Sequence, residues 1–239
     1  MCTLVILQRP GELLAISGNR NEILSRPSSR PRVEHGILAP RDELAGGTWL
    51  GLNRHGLFVC VTNRRGGMVD PSRKSRGVLV MEALQAVTAR GLREAMAQLR
   101  GDRHNGFHLI YADLRDAFVT WSDGVTVQHA ALEPGRVHVI TERSFGAGEG
   151  ARERTVAAAF AQLEPSLAAW REPMTVHAAE PLESACVHAD DIGYGTRSSL
   201  QMILRPSGGE GLWTEGPPCV NPARDISPLI ASLGIGTSR

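Results

Sequence analysis

The sequence predicts an α+β fold in which two antiparallel sheets are covered by outer helices. Strand-length and helical segments come in groups along the chain, as hairpins, then helices, then hairpins again, and this order disfavours a parallel doubly wound sheet. The segment 57–61 is apolar on both faces, which is typical of a strand buried between two layers. Because 239 residues with 42% hydrophobic content can bury a substantial core, we expect a single domain over residues 1–239.

The first predicted element is a hairpin at the start of the sequence. Two apolar runs, 3–7 and 13–17, flank the segment 9–12, in which Pro presets φ and Gly accepts a positive φ. If Arg9 pairs with Glu12, the register brings four residues together at one end of the sheet. They are Cys2, opposite Asn19, with Arg20 and Asn21 beside it.

Further hairpins and helices follow from the hydrophobic periodicity. A second hairpin is predicted from 48–52 and 57–62 around a turn at 53–56. Two helical faces come next, separated by Gly91: Val80, Leu84 and Val87 on one, and Leu92, Met96 and Leu99 on the other. The later pattern predicts strands at 106–113, 117–122, 125–129, 136–141, 185–188, 196–204 and 211–215, a helix at 151–163 and a short one after Pro165.

Charge and cysteine usage exclude several classes of protein. With 26 basic and 25 acidic residues the net charge is +1, so we expect no nucleic-acid partner and no attraction to an anionic membrane. The run 3–7 is too short for a signal sequence and no later stretch approaches 18 apolar residues, so we expect a soluble, cytoplasmic protein. The four cysteines form neither CxxC pairs nor a ladder with His, so we expect no disulfide, no metal site and no cofactor.

Cys2 is the first candidate for chemistry. If Met1 is removed, this one residue offers a thiol and a free α-amine, whose ordinary pKa of about 8 lets it act as a base at cellular pH. The thiol becomes a nucleophile when that base or the nearby Arg20 favours the thiolate. The alternative is that Cys2 is a small residue at the start of a buried strand.

The polar residues around Cys2 are the second candidate. Side-chain amides at the strand ends can donate to an oxyanion, or they satisfy loop carbonyls. The residues concerned are Asn19, Arg20, Asn21, Glu22, Arg26 and Asn63. The stretch 64–76 holds five basic residues and either closes over an acidic substrate group or is a solvated loop. His104 and His108 are four residues apart, but His108 lies in a strand pattern, so we expect a hydrogen-bonded strand histidine.

These residues resemble the NRDE family, also called the Transport and Golgi Organization family, whose members begin Met-Cys-Thr and carry an Asn-Arg-Asp-Glu motif. The resemblance runs in order along almost the whole chain. The matching segments are Met1-Cys2-Thr3, Asn19-Arg20-Asn21-Glu22 with Arg26-Pro27, Gly46-Gly47-Thr48-Trp49-Leu50-Gly51, Thr62-Asn63, Ser75-Arg76-Gly77, Gly106-Phe107 and Tyr194-Gly195-Thr196-Arg197-Ser198-Ser199.

The family in turn resembles the N-terminal nucleophile hydrolases of the choloylglycine hydrolase and penicillin V acylase branch. This implies a four-layer αββα sandwich and a small-molecule amide or acyl substrate. It also implies catalytic roles: Cys2 as nucleophile, Arg20 as thiolate or substrate partner, Asn21 orienting the amine, Asn63 as oxyanion donor and Arg197 as a late-chain arginine. Substrate contacts are expected from Asn19, Glu22, Arg26, Trp49 and Arg64.

Two departures and one alternative accompany the resemblance. Asn21 replaces the motif aspartate, so it can hydrogen-bond the α-amine but cannot stabilise an ammonium by charge. Around 139–143 the Asn of the hydrolase branch is missing, which leaves Thr141 as its replacement or leaves no donor there. The alternative function, also implied by the family, is a non-catalytic binding or trafficking protein that handles haem or acyl-CoA.

Overall fold

The structure is a computed structural model, and it describes residues 2–67, 69–148 and 150–236. It consists of two seven-stranded antiparallel sheets with helices on the outer face of each, which confirms the predicted αββα sandwich. The strands are β1 (Thr3–Arg9), β2 (Leu13–Ile23), β3 (Ser28–Glu34), β4 (Ile37–Asp42), β5 (Leu50–Asn53), β6 (Phe58–Asn63), β7 (Phe107–Ala112), β8 (Ala117–Ser122), β9 (Val127–Ala131), β10 (Val137–Ile140), β11 (His188–Ala189), β12 (Tyr194–Arg205), β13 (Gly208–Glu215) and β14 (Arg224–Asp225). The α-helices are α1 (Arg76–Ala83), α2 (Ala89–Met96), α3 (Ala151–Phe160), α4 (Leu167–Arg171) and α5 (Ser227–Ala231).

The two sheets differ in connectivity. The first sheet has the order β10-β1-β2-β12-β13-β14, with β11 paired to β12, so it joins the two ends of the described chain. The second sheet is the meander β3 to β9. No helix among the described residues has the length and apolar character needed to cross a membrane.

Side chains that point alternately to the two faces of β1 and β2 divide the core into two clusters. Leu4 and Ile16 belong to the cluster between the sheets, which also takes in the buried side chains of α1 and α2. Val5 and Ala15 belong to a second cluster beneath α3 and α4. Because successive strand residues point to opposite faces, this pattern requires a first sheet that is covered on both sides.

The predicted register of the first hairpin is wrong by one residue. Arg9 pairs with Leu13 instead of Glu12, so Thr3, not Cys2, lies opposite Asn19. The loop is a turn closed by the Glu12 N–H donating to the Arg9 carbonyl, with Gly11 at φ +72°. Two-residue hairpin loops favour type I′ and II′ turns, whose twist matches that of the strands, whereas Pro at the second turn position cannot adopt the positive φ that such turns require. The loop therefore has three residues, one more than the sequence predicted.

Backbone hydrogen bonds join the two sheets at both ends of the sandwich. At the end where this loop lies, the Gly11 N–H donates to the carbonyl of Leu114, in the turn between β7 and β8, over 2.6 Å. At the other end the Arg65 N–H, after β6, donates to the Glu142 carbonyl, after β10, over 2.7 Å. The far end of the sandwich, where β1 begins, is where the candidate site lies.

Other boundaries also differ from the sequence prediction. Gly91 lies inside α2, and the break between the helices is at 84–88, where the Asn53 amide donates to the carbonyls of Leu84 and Ala86 and the Thr88 hydroxyl caps α2. Val87, predicted on the buried face, is 59% exposed. The edge hairpin β3–β4 was not predicted, because β3 alternates polar residues at an exposed edge.

A buried ion pair fastens α3 to the strand end at β10. The Arg152 guanidinium donates to the Glu142 carboxylate and to the Leu182 carbonyl, and both charged side chains are at least nine-tenths buried. Since each charge compensates the other in a poorly solvated place, neither can be removed alone without a large cost.

We therefore expect Arg152→Ala to lower the free energy of unfolding by about 3–5 kcal/mol, because it leaves the Glu142 carboxylate buried without its partner. Urea unfolding followed by circular dichroism measures the effect. Arg154→Ala, on the exposed face of the same helix, is the matched control and should change stability by less than about 0.5 kcal/mol. Equal effects of the two substitutions would contradict a structural role for the pair.

Candidate functional site

A polar cleft of about 180 Å³ opens at the end of the sandwich where β1 begins. It lies between the N-terminal end of β1, the second half of β2 and the segments around β5 and β6. Seven of the residues singled out from the sequence line it: Cys2, Arg20, Asn21, Glu22, Arg26, Trp49 and Asn63. The observed register keeps Cys2 beside Arg20, because Thr3 is paired with Asn19, the residue before Arg20 on β2.

Arg20 has the most constrained side chain in the cleft. Its guanidinium carbon lies 4.1 Å from the centre of the Trp49 ring, a cation–π arrangement, and its Nη2 is 3.8 Å from the Glu22 carboxylate. Its Nη1 is buried and has no hydrogen-bond partner among the described residues. Burial lowers the pKa of Arg20, and the neighbouring Cys2 and Glu22 act against that shift. A buried guanidinium nitrogen without an acceptor is costly, so this atom is suited to an anion.

Arg26 and Asp42 form the firmest ion pair of the cleft. The Nε and Nη2 atoms of Arg26 donate to one Asp42 oxygen over 2.9 and 2.7 Å, and Glu22 lies 3.9 Å from the same guanidinium. Asp42 also accepts two backbone N–H groups from the loop after β4. The carboxylate thus fixes Arg26 at one wall of the cleft.

The segment before α1 supplies lining residues that the motif analysis did not assign. Of the basic stretch 64–76, Arg73, Lys74 and Arg76 line the cleft, together with Asp70. The Arg76 guanidinium donates to the Gly106 carbonyl, and burial lowers its pKa while Cys2 and Glu22 act against that shift. The density of basic residues in this stretch was the sequence signal, and three of its five basic residues form part of the cleft wall.

The side chains of two predicted residues on β2 bond to other segments of the chain. The Asn19 amide donates to the carbonyls of Met174 and Ala185 over 2.8 Å each, so its side chain holds the helical layer and not a ligand. The Asn21 Oδ1 accepts the Thr196 hydroxyl over 2.7 Å, and that hydroxyl accepts the Val187 N–H. Because Thr196 has one proton to give, this chain of bonds fixes which way the Asn21 amide is turned.

Three further residues lie outside the described lining of the cleft. Arg197, the extra residue of a bulge in β12, donates to the Arg26 carbonyl over 3.1 Å, so it can position Arg26 but does not face the cavity. The expected oxyanion replacement, Thr141, donates to Glu153 instead. Arg64, expected to contact substrate, donates to the Ser144 carbonyl over 2.8 Å. Its side chain therefore points towards the turn after β10 and not into the cleft.

A narrow apolar recess continues inward from Cys2. Leu4, Trp49, Leu200 and Trp213 are among its walls, and its volume of about 10 Å³ leaves room for one group about the size of a water molecule. The two tryptophan rings face each other at 6.2 Å. The recess therefore takes a group about the size of a methyl, whereas the polar cleft accommodates a larger molecule.

His108 is a hydrogen-bonded strand histidine, as expected. Its Nδ1 lies 3.1 Å from the Thr62 hydroxyl and its Nε2 lies 2.9 Å from the Ser144 carbonyl. The Arg64 Nη1 lies 3.1 Å from the same Nε2 and also donates to the Ser144 carbonyl. Burial, with the nearby Arg64 guanidinium, lowers the pKa of His108 to about 3.

Comparison with known proteins gives relatives in sequence and in structure. A family model described as Transport and Golgi organisation 2 matches residues 1–215. The human Transport and Golgi organization protein 2 homolog is 33% identical over 109 residues, which is 46% of this chain and 36% of that protein. The mouse homolog is 32% identical over 106 residues, 44% of this chain and 34% of that protein. The match thus spans about a third of the length of these relatives.

Two solved structures share the fold over nearly their whole length. A Caenorhabditis elegans ortholog of N-acylethanolamine-hydrolyzing acid amidase has a TM-score of 0.60 and 13% identity, with 99% of this chain and 98% of that one covered. A mutant of the conjugated bile acid hydrolase from Clostridium perfringens has a TM-score of 0.60 and 12% identity, with 94% and 96% covered. At these identities the likeness shows the fold.

Because His108 stays neutral in the folded state, we expect the free energy of unfolding to decrease as the pH is lowered. Its folded pKa of about 3 lies below its unfolded value of about 6.5, so between these limits the unfolded state binds a proton that the folded state does not. The free energy of unfolding should fall by up to about 1.4 kcal/mol per pH unit on this account.

Urea unfolding from pH about 7 down to about 4 measures that slope. His108→Gln should flatten it, and His55→Gln, a change of the same kind on the exposed turn after β5, is the matched control. An unchanged slope in His108→Gln would refute the assignment of a neutral, buried imidazole.

Proposed function

The chain belongs to the Transport and Golgi organisation 2 family, and from that premise we propose that it is an N-terminal cysteine nucleophile hydrolase acting on an amide or related acyl bond of a small molecule. The observation that carries the proposal is the position of Cys2 at the cleft, beside the buried Arg20, whose Nη1 has no acceptor among the described residues. The fold is shared with an acid amidase ortholog and a bile acid hydrolase, which is consistent with this reaction class.

The proposed reaction uses Cys2 after Met1, which lies outside the described residues, has been removed. The α-amine of Cys2 takes the thiol proton, and Sγ attacks the carbonyl carbon of the substrate. The C–N bond then breaks, the leaving amine takes the proton from the α-ammonium, and a thioester remains on Sγ. Water, deprotonated by the same α-amine, attacks the thioester and releases the carboxylic acid and the free thiol.

Neighbouring residues have distinct proposed tasks. The Asn63 amide donates to the oxyanion that forms during attack, since Asn63 ends β6 at the rim of the cleft. The Arg20 guanidinium stabilises the thiolate or an anionic group of the substrate. Asn21 orients the α-amine towards the thiol. Arg197 positions Arg26 by donating to the Arg26 backbone carbonyl.

The shape and charge of the cleft favour a small anionic substrate. Five basic side chains line the cavity against three carboxylates: Arg20, Arg26, Arg73, Lys74 and Arg76 against Glu22, Asp42 and Asp70. The apolar recess beside Cys2 has a volume of only about 10 Å³. We therefore propose a short acyl group seated at the recess, with a carboxylate or similar anion in the polar cleft.

The first test is acylation of Cys2. An activated aryl ester of acetate should place one acetyl group on Cys2, and hydroxylamine should release it as expected of a thioester. Intact mass should also show a chain lighter by one methionine. Peptide mass spectrometry locates the adduct, with Cys219, the other partly exposed thiol, as an internal control, and Cys2→Ala should abolish labelling.

Acetylation of Cys219 to the same extent as Cys2, or retention of Met1, would count against the mechanism. If Cys2 stays unlabelled by ester, thioester and amide probes while haem or acyl-CoA binds equally well to Cys2→Ala, the chain is a binding protein on this scaffold.

The second test concerns the asparagine that replaces the motif aspartate. Asn21→Asp adds a negative charge near the α-amine, which stabilises the ammonium and raises the pKa of that amine. The acidic limb of the pH–rate profile for Cys2 acetylation should therefore move to higher pH by about one unit. Asn21→Ala removes the amide without adding charge and should not produce this upward shift. A midpoint that is the same in wild type and Asn21→Asp would show that Asn21 does not act on the base.

A further inference from the structure

Four side chains with metal-binding atoms converge outside the cleft, between β11 and the loop after β13. They are His177, Cys186, His188 and Cys219, and their ligand atoms all lie within 4.8 Å of one another. Cys186 is buried, His188 and Cys219 are half-buried, and His177 is exposed. None of them takes part in the chemistry proposed for Cys2.

Three separations within this cluster are close to the edges of a tetrahedral metal site. Bonds of about 2.3 Å to sulfur and about 2.0–2.1 Å to nitrogen at tetrahedral angles place ligand atoms roughly 3.3–3.8 Å apart. The Sγ atoms of Cys186 and Cys219 are 3.5 Å apart, and the His188 Nε2 lies 3.7 Å from the first sulfur and 3.1 Å from the second. The rings of His177 and His188 are 5.0 Å apart at their centres, which leaves room for a shared ion.

We propose that His177, Cys186, His188 and Cys219 bind one zinc ion in a closed, structural Cys₂His₂ site. Two thiolates and two imidazoles are the ligands that favour tetrahedral Zn²⁺. Two thiolates also balance the charge of the ion, and binding releases their two protons to solvent. All four positions are filled by protein atoms, so the site holds the chain together and activates no water.

The backbone fixes the segments that carry the ligands. The Cys186 N–H donates to the Val176 carbonyl over 3.0 Å, which holds His177 next to Cys186. His188 is paired with Gly195 through β11 and β12.

The third segment is the turn that carries Cys219. The Asn221 N–H donates to the Pro217 carbonyl, and Arg171 Nη2 donates to the carbonyls of Pro218 and Asn221 over 2.7 and 2.9 Å. Ligands held in this way lose little freedom when an ion binds, which favours affinity.

The proposed site departs from the expectation that the cysteines hold no metal. That expectation rested on spacing, but Cys186 and Cys219 are 33 residues apart, and it is the fold that joins them. The competing reading is a disulfide between these two sulfurs. A disulfide explains neither the position of the His188 Nε2 within 3.1 Å of Cys219 nor the approach of His177, so the ion accounts for more of the cluster.

Two consecutive hydrogen bonds connect the site to the cleft. The Val187 N–H, between two of the ligands, donates to the Thr196 hydroxyl, which donates to the Asn21 Oδ1. An ion that fixes Cys186 and His188 thus also fixes the strand partner that orients Asn21. The proposal itself stands without any activity of Cys2.

The test measures zinc in the full-length protein under reducing conditions. After dialysis against zinc and removal of free metal, elemental analysis and native mass spectrometry should find about one ion per chain. Replacement by Co²⁺ should give the visible absorption of tetrahedral cobalt and a sulfur-to-cobalt charge-transfer band. This spectrum is read on the wild-type chain, so it does not depend on the folding of any variant.

Ligand variants then identify the site. Loss of a residue that only hydrogen-bonds to a metal ligand weakens metal binding about 10- to 100-fold. Loss of a ligand itself should have a larger effect, so Cys186→Ser and Cys219→Ser should each weaken zinc binding by more than about 100-fold. His188→Gln should do the same, while His55→Ala, an exposed histidine outside the cluster, should bind zinc as the wild type does.

Three outcomes would overturn the proposal. One is a zinc-free chain that is lighter by two hydrogens, with Cys186 and Cys219 joined in a disulfide. Another is the weak spectrum of octahedral cobalt, without a sulfur band. The third is equal zinc affinity of Cys219→Ser and wild type, which would place the ion elsewhere.

Discussion

The structure depends on the pairing of β2 between β1 and β12. On β2, Arg20 and Glu22 line the cleft, Asn19 bonds to the layer of α3 and α4, and Asn21 lies at the edge of the cleft, where it accepts from Thr196. A shift of one residue would move Arg20 to the opposite face of β2, so the charge of the cleft and the anchor at Asn19 are determined by one register. The bulge at Arg197 absorbs the extra residue of β12 without disturbing that assignment.

Local patterns in the sequence were enough to predict most of the sandwich. The two hairpins, the doubly apolar strand and the amphipathic helix α3 each depend on residues close in sequence, and they lie where expected. The exact register of β1 and β2 did not follow, because it depends on one residue in the loop whose geometry is set by strand twist. The helix break before α2 was misplaced, since it depends on the Asn53 amide, which arrives from a different part of the chain.

The sequence located the residues of the cleft that adjoin a strand end, and it did not locate those that the fold brings there from distant segments. The residues beside Cys2 were found because one hairpin places them there. Arg64 was misassigned because the Ser144 carbonyl, far along the chain, binds its guanidinium. Arg76, at the start of α1, and Asp42, at the end of β4, reach the cleft from other elements. Cys186, before β11, and Cys219, after β13, meet only because β12 pairs with both strands. No spacing rule encodes such contacts.

Backbone hydrogen bonds join the two sheets at both ends of the sandwich. At the end opposite Cys2 the Gly11 N–H donates to the Leu114 carbonyl, and near the cleft the Arg65 N–H donates to the Glu142 carbonyl over 2.7 Å. Because both ends are joined through the backbone, the sheets are restrained from opening like a hinge. A molecule that contacts Arg20 on the first sheet and Asn63 on the second therefore meets walls whose separation is already set, and its binding requires little ordering of the sheets.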